Sequence, residues 1–206
     1  MLRAAGGELE RDFAFGAVRQ LFEPVLTGRS AAARAKLLAG PAAAAAAVVE
    51  PVGAAVEAGF ALLHALFWLV ANLAAEQPLL LVVDDLHWLD EASLRALDYV
   101  ARRAGDLPLL VVGATRPSEP GAHIELLDAF RQGTTVLAPT ALSAGAVAEI
   151  VRERRPGAGD DLCAAYHQAS AGNPLYVREL LQTVPDGDPE AVRAAVIPAL
   201  GERILR

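Results

Sequence analysis

A parallel α/β sheet core followed by a small helical lid is the fold this sequence predicts. Three observations carry that expectation. Two continuous apolar runs, 79–83 and 109–112, read as strands buried on both faces. Between them, 90–103 reads as a helix, with Asp90 as N-cap and Leu94, Leu97 and Val100 turned inward; strand, helix and strand in that order argue for a parallel sheet. After about residue 140 the strand signals stop, and 143–153, 160–170 and 174–183 read as helices. The predicted division is a core at 1–140 and a lid at 141–206.

The other elements follow in order. Residues 12–26 read as an amphipathic helix, with Asp12 as N-cap, Phe15, Val18, Leu21, Phe22 and Val25 at helical spacing, and Pro24 unsettling the last turn. Residues 29–58 are alanine-rich and helical, broken at Gly40, Pro41 and Gly53. Residues 59–76 form a strongly apolar helix that Gln77-Pro78 ends. Its apolar stretch is short for a bilayer and carries His64 and Asn72, so a buried helix is expected rather than a membrane span. Val136-Leu137 is expected to add a third, short strand.

Composition narrows the function classes. The chain of 206 residues is 54% hydrophobic and 21% charged, enough apolar material for a sizeable core. A net charge of −7 and a pI near 5.1 disfavour contact with a nucleic-acid backbone. Cys163 stands alone, so no disulfide framework is possible, which fits a reducing cytoplasm; within a predicted helix it reads as a small apolar filler.

The sharpest chemical feature is the string LLLVVDD, 79–85. The apolar run places the strand inside a sheet, and two carboxylates follow at its C-terminal end, where α/β folds bind ligands. Mg²⁺ takes oxygen ligands and shares them with nucleotide phosphates. In this Walker B pattern Asp84 would hold Mg²⁺ and Asp85 would orient or deprotonate the attacking water. The competing reading is a strand ending in a polar turn that Asp85 caps. A hydroxyl or guanidinium at Thr115 and Arg116, just past the second run, can bind a phosphate oxygen or the lytic water; the alternative is a turn set by Pro117. Asn173-Pro174 suits a helix start, as N-cap and first-turn proline. His87 beside the two aspartates could belong to a metal-dependent hydrolase, but a zinc site needs more ligands than these; Trp88 reads as packing against the next helix.

The full string LLLVVDDLHWLDEASLRALDYVARR (79–103) resembles the ATPase domain of the large ATP-binding regulators of the LuxR type, among the signal-transduction ATPases with numerous domains (STAND) of the AAA+ superfamily. So do GGELERDFAFGAVRQLFEPVL (6–26), LLHALFWLVANLAAEQPLLLVVDD (62–85), LLVVGATRP (109–117) and SAGNPLYVRELL (170–181). The resemblance implies a three-layer P-loop NTPase core, ATP and Mg²⁺ as ligands, and slow hydrolysis as a switch in transcription control. It implies a sensor 1 role near the γ-phosphate for Thr115 and Arg116. For Gly172, Asn173 and Pro174 it implies packing against adenine, coupling the lid to nucleotide state. It also makes residues 1–6 similar to the family's second strand.

One part of that pattern is missing. A P-loop reads G-x-x-x-x-G-K followed by Ser or Thr. The only lysine is Lys36, in Arg34-Ala35-Lys36-Leu37-Leu38, with no such surroundings. The expectation is a truncated piece whose Walker A lies upstream and whose last segment, 199–206, is a helix cut in mid-course. The rival is an ATP-free pseudo-ATPase module that serves protein contacts. The P-loop strand is expected beside the strand that ends in the two aspartates, so its loss would uncover Leu79, Leu81 and Val83 and favour self-association.

Overall fold

In a computed structural model, which describes residues 1–49, 59–116, 121–184 and 188–195, three strands form one parallel sheet in the order β1-β2-β3. They are β1 (Leu2–Ala5), β2 (Leu79–Asp84) and β3 (Leu109–Gly113). β2 is central, as the two apolar runs and their intervening helix predict. The chain forms two units, Met1–Val136 and Leu137–Arg206.

In the first unit, α1 (Gly16–Thr27), α2 (Ala31–Leu37), α3 (Ala46–Val49) and α4 (Phe60–Glu76) precede β2, α5 (Glu91–Ala101) joins β2 to β3, and α6 (Ile124–Gln132) follows. The alternation of side chains along β2 sorts the sheet faces. Leu79, Leu81 and Val83 are buried in one core with Val18, Leu21 and Phe22 of α1, Leu66 and Leu69 of α4, and Leu94 and Leu97 of α5. The opposite face is open. Leu80 pairs in register with Leu110, and Val82 with Val112. Leu80 and Val82 are half-buried, while Leu110 is 60% and Val112 45% exposed.

Here the structure corrects the expected vacancy. β2 is paired on both edges, so no strand can enter beside it. The open edge belongs to β3, and the uncovered side chains are Leu110 and Val112, not Leu79, Leu81 and Val83. The terminal bonds of the β2–β3 ladder, Leu79 N–H to Pro108 O and Ala114 N–H to Val83 O, give the phase. Residues 108, 110, 112 and 114 therefore turn their backbone groups to β2, and 109, 111 and 113 turn theirs outward. β1, the other edge strand, has Arg3 and Ala5 exposed but is engaged at its C-terminal end. The Gln20 side-chain amide donates to Ala5 O and accepts from Ala5 N–H, imitating a neighbouring strand.

Helix boundaries follow local chemistry with one exception. Asp90 caps α5 as predicted, its carboxylate accepting Ser93 N–H at 2.8 Å. Asp12 does not cap α1. That helix begins at Gly16 after Phe15, which adopts φ 62°, and the same Asp90 accepts the N–H groups of Phe15 (2.8 Å) and Gly16 (3.1 Å). Val136-Leu137 is not a strand: both residues lie in irregular chain, 57% and 83% exposed. Two apolar residues alone cannot hold a ladder without a neighbour to pair with. α4 is the expected buried helix over most of its length, with Phe60 and Trp68 at its surface. Among the described residues no single helix is long and apolar enough to cross a membrane.

The second unit contains α7 (Ala144–Arg154), α8 (Asp160–Ser170), α9 (Pro174–Thr183) and α10 (Pro189–Ala194), with no strand among the described residues. Its core is Val147, Val151, Cys163, Ala165, Tyr166, Val177, Leu180 and Val192. Residues 199–206, where a cut helix is expected, lie outside the described residues.

Tyr166 is fully buried, and its hydroxyl has no hydrogen-bond partner among the described residues. Burial pushes its phenol up from the usual range. An unpaired buried hydroxyl costs about 1–3 kcal/mol, so Tyr166→Phe is expected to hold or raise stability, by up to ~1 kcal/mol, in urea denaturation. The sign of the pH effect follows. With the folded pKa raised, the unfolded chain loses its phenol proton first, so wild-type stability falls as pH climbs through the phenol range toward the raised value. Tyr166→Phe should lack that component of the alkaline loss.

Candidate functional site

β2 and β3 run parallel, so their C-termini open on the same edge, and the chain beyond each is tied to the other. Leu86 N–H donates to Ala114 O at 2.8 Å, and Ala114 N–H returns to Val83 O at 3.0 Å. This brings Asp84-Asp85 and Thr115-Arg116 to adjoining strand ends, where the sequence places them in one site.

The turn after β2 is tightly determined. Asp84 is exposed, and its Oδ1 accepts Asp85 N–H at 2.9 Å. Asp85 has φ 49° and ψ 50°, a left-handed conformation that aspartate tolerates better than most residues. Two glycines permit the close approach of the flanking strands. A Cβ on Gly6, past β1, would stand 2.4 Å from Asp85 O, and one on Gly113, ending β3, would stand 2.5 Å from Leu86 Cδ1. Gly6 N–H also donates to Asp84 O at 3.0 Å.

Neither carboxylate is deeply buried; the Asp85 side chain is 37% exposed. Solvent-facing carboxylates need no compensating cation in the resting chain, and they keep oxygen lone pairs available to a hard cation. Asp84 and Asp85 therefore fit the carboxylate share of a Mg²⁺ site. The phosphate-cradling share has no counterpart around Lys36, which sits exposed in the last turn of α2.

His87 takes a part its sequence context does not reveal. It lies in the short 3-10 turn Leu86–Trp88 and is 1% exposed. Its Nδ1 accepts Arg116 N–H at 3.2 Å, and its Nε2 stands 3.7 Å from Asp85 Oδ1. Among the described residues no group of three His, Cys, Asp or Glu side chains is placed to hold a metal, and the His87 nitrogen that faces β3 is already engaged. The Arg11 guanidinium lies 5.0 Å from the Trp88 ring centre. The Thr115 hydroxyl donates to Arg116 O at 3.3 Å.

Asp90 is the other residue whose reach the sequence understates. It is 3% exposed and links the N-termini of α1 and α5, with Ser93 Oγ accepting Val18 N–H at 3.4 Å beside it. No local pattern signals this second role, because Phe15 lies 75 residues away.

In the second unit the Gly172-Asn173-Pro174 segment has the structural role its residues predict. Asn173 Oδ1 accepts Leu175 N–H at 2.9 Å, capping α9, with Pro174 in the first turn. Gly172 has φ 74°, and a Cβ there would meet Leu142 O at 2.4 Å. The reason is a strand-like contact, Leu142 N–H donating to Gly172 O at 2.8 Å. Asn173 and Pro174 are exposed.

Comparison with known proteins bears on this arrangement. An uncharacterized protein of Rhizobium meliloti (strain 1021) is 31% identical over 119 residues, which are 56% of this chain and 11% of that relative. The chain thus spans about a tenth of the relative's length. No solved structure matches. The family described as AAA ATPase domain matches residues 2–112, from β1 through nearly all of β3, with Asp84, Asp85, His87 and Asp90 inside the match. A match over more than half of the chain, on a parallel sheet that carries its aspartate pair at the central strand end, shows that the chain belongs to the AAA ATPase domain family.

Proposed function

We propose that this chain is the Walker B and sensor 1 part of a regulatory ATPase domain of the STAND type, a cytoplasmic nucleotide switch in transcription control. The observation that carries the reading is the shared strand edge, with Asp84-Asp85 and Thr115-Arg116 tied together by the Leu86–Ala114 and Arg116–His87 hydrogen bonds. Asp84 would hold Mg²⁺ beside the nucleotide phosphates, and Asp85 would orient the attacking water. Bound Mg²⁺ supplies neutralisation of phosphate charge. Thr115 and Arg116 would contact the γ-phosphate end, and Gly172, Asn173 and Pro174 would read the adenine side and pass nucleotide state to the helical unit.

The P-loop is the part these residues do not supply, and β3's open edge is where a strand carrying it has room. Backbone groups at 109, 111 and 113 face outward there. Until such a strand is present, that edge and the exposed Leu110 and Val112 also favour pairing with a second copy.

Calorimetry tests the reading. The 206-residue chain is expected to show no micromolar affinity for MgATP. The same chain extended by a strand bearing G-x-x-x-x-G-K followed by Ser or Thr is expected to bind MgATP and hydrolyse it slowly; Asp85→Asn should keep binding and lose most turnover. Micromolar binding by the unextended chain overturns the dependence on an added P-loop. An extended chain that stays folded yet ignores MgATP favours the ATP-free interaction module instead.

A further inference from the structure

We propose that His87 is a positioning residue that couples the Asp85 carboxylate to the backbone of Arg116. The inference deepens the ATPase reading and rests on it for its catalytic meaning. The donor pattern assigns the ring. A backbone N–H can only donate, so the Nδ1 that receives Arg116 N–H carries a lone pair, and the neutral ring holds its proton on Nε2. That Nε2 is buried and has no hydrogen-bond partner among the described residues. Buried ring nitrogens are normally paired, and a stranded one calls for an explanation.

The Asp85 carboxylate supplies it. Its Oδ1 lies 3.7 Å from Nε2, so a closing movement of about 0.7 Å completes an N–H···O bond of ordinary length. Asp85 can make that movement, because its side chain is part-exposed and held by no hydrogen bond of its own among the described residues. His87 cannot yield, because it is 1% exposed and its ring lies against Trp88, centroids 5.1 Å apart. The ring is thus a fixed pivot between two strand ends. Through the fixed ring, closure of Asp85 on Nε2–H raises the electron density at Nδ1 and strengthens its hold on Arg116 N–H, and loss of the Arg116 contact weakens the pull on Asp85. An inert filler in the same space would need neither nitrogen.

The test uses the full chain without nucleotide. Ring ¹⁵N spectra should show the proton of His87 on Nε2; a proton on Nδ1 overturns the proposal. Amide hydrogen exchange at Arg116 then reads the coupling. Asp85→Asn is expected to change the Arg116 rate about fivefold when His87 is present. In the H87N background the same substitution should have no effect, since the shorter amide reaches only the Nδ1 position and keeps the Arg116 contact without touching Asp85. Should H87N lose its cooperative melt, H87Q takes its place. Its amide reaches the Nε2 position, so Arg116 should exchange faster and Asp85→Asn should again have no effect there. An equal response to Asp85→Asn with and without His87 refutes the coupling. That outcome leaves MgATP binding by the extended chain untouched, and failure of MgATP binding leaves the exchange coupling standing.

Discussion

Asp90→Ala is expected to lower the melting temperature of the first unit by roughly 6–12 °C, at about 2–4 °C per kcal/mol for a chain of this size. The estimate comes from what the carboxylate holds. It caps α5 through Ser93 N–H and α1 through Phe15 and Gly16 N–H. Loss of an N-cap costs about 1 kcal/mol. Here two caps go together, and the buried Phe15 N–H is left unpaired at about 1 kcal/mol more. Gly16 N–H keeps a second acceptor in Phe13 O at 3.0 Å, which limits the damage. The sum is about 3 kcal/mol. Asp90→Asn retains Oδ1, which serves Phe15 and Ser93, and should cost less than half as much. Thermal melts followed by circular dichroism decide the matter. If Asp90→Ala melts no lower than Asp90→Asn, the carboxylate is not the link between the two helices.

Adding a strand at the β3 edge is expected to raise the melting temperature by several degrees and to make it rise further with ATP. The structure moves this expectation from β2 to β3, because β2 already has both neighbours. The outward carbonyl of Leu109, whose N–H already donates to Leu107 O, and the outward groups of 111 and 113 would gain partners, and part of the exposed Leu110 and Val112 surface would be covered. MgATP at a hundred times its Kd would add about 2.7 kcal/mol to the extended chain. Without the added strand, sedimentation is expected to show a mass that grows with concentration. Leu110→Lys and Val112→Lys should suppress that growth, since lysine on an edge strand opposes pairing. The same substitutions should blunt the gain from the added strand. A monomeric chain that melts cooperatively and gains nothing from the strand would make the ATP-free module the leading reading.

The sequence by itself determined the elements whose signals are local. The apolar runs at 79–83 and 109–112 became β2 and β3, although the expected burial on both faces holds for neither, since Leu80 and Val82 are half-buried and Leu110 and Val112 exposed. Asp90 and Asn173 became N-caps, each with a side-chain oxygen accepting an N–H two or three residues on. The order of strand, acidic pair, helix and strand also placed Asp84-Asp85 and Thr115-Arg116 on one edge, since parallel strands end on the same side. What depends on partners far along the chain had to await the tertiary structure. That β2 has no free edge, and that the vacancy lies at β3, follows from β1 pairing with β2 across more than seventy residues. Val136-Leu137 reads as apolar but found no neighbour to pair with and stayed exposed. Asp90 serves α1 as well as α5 only because packing carries Phe15 to it. His87 reads as a candidate ligand beside two aspartates until the fold brings Arg116 N–H to its Nδ1. A hydrogen bond has a reach of about 3 Å in space and none along the sequence, so these partners became visible only once the sheet had assembled.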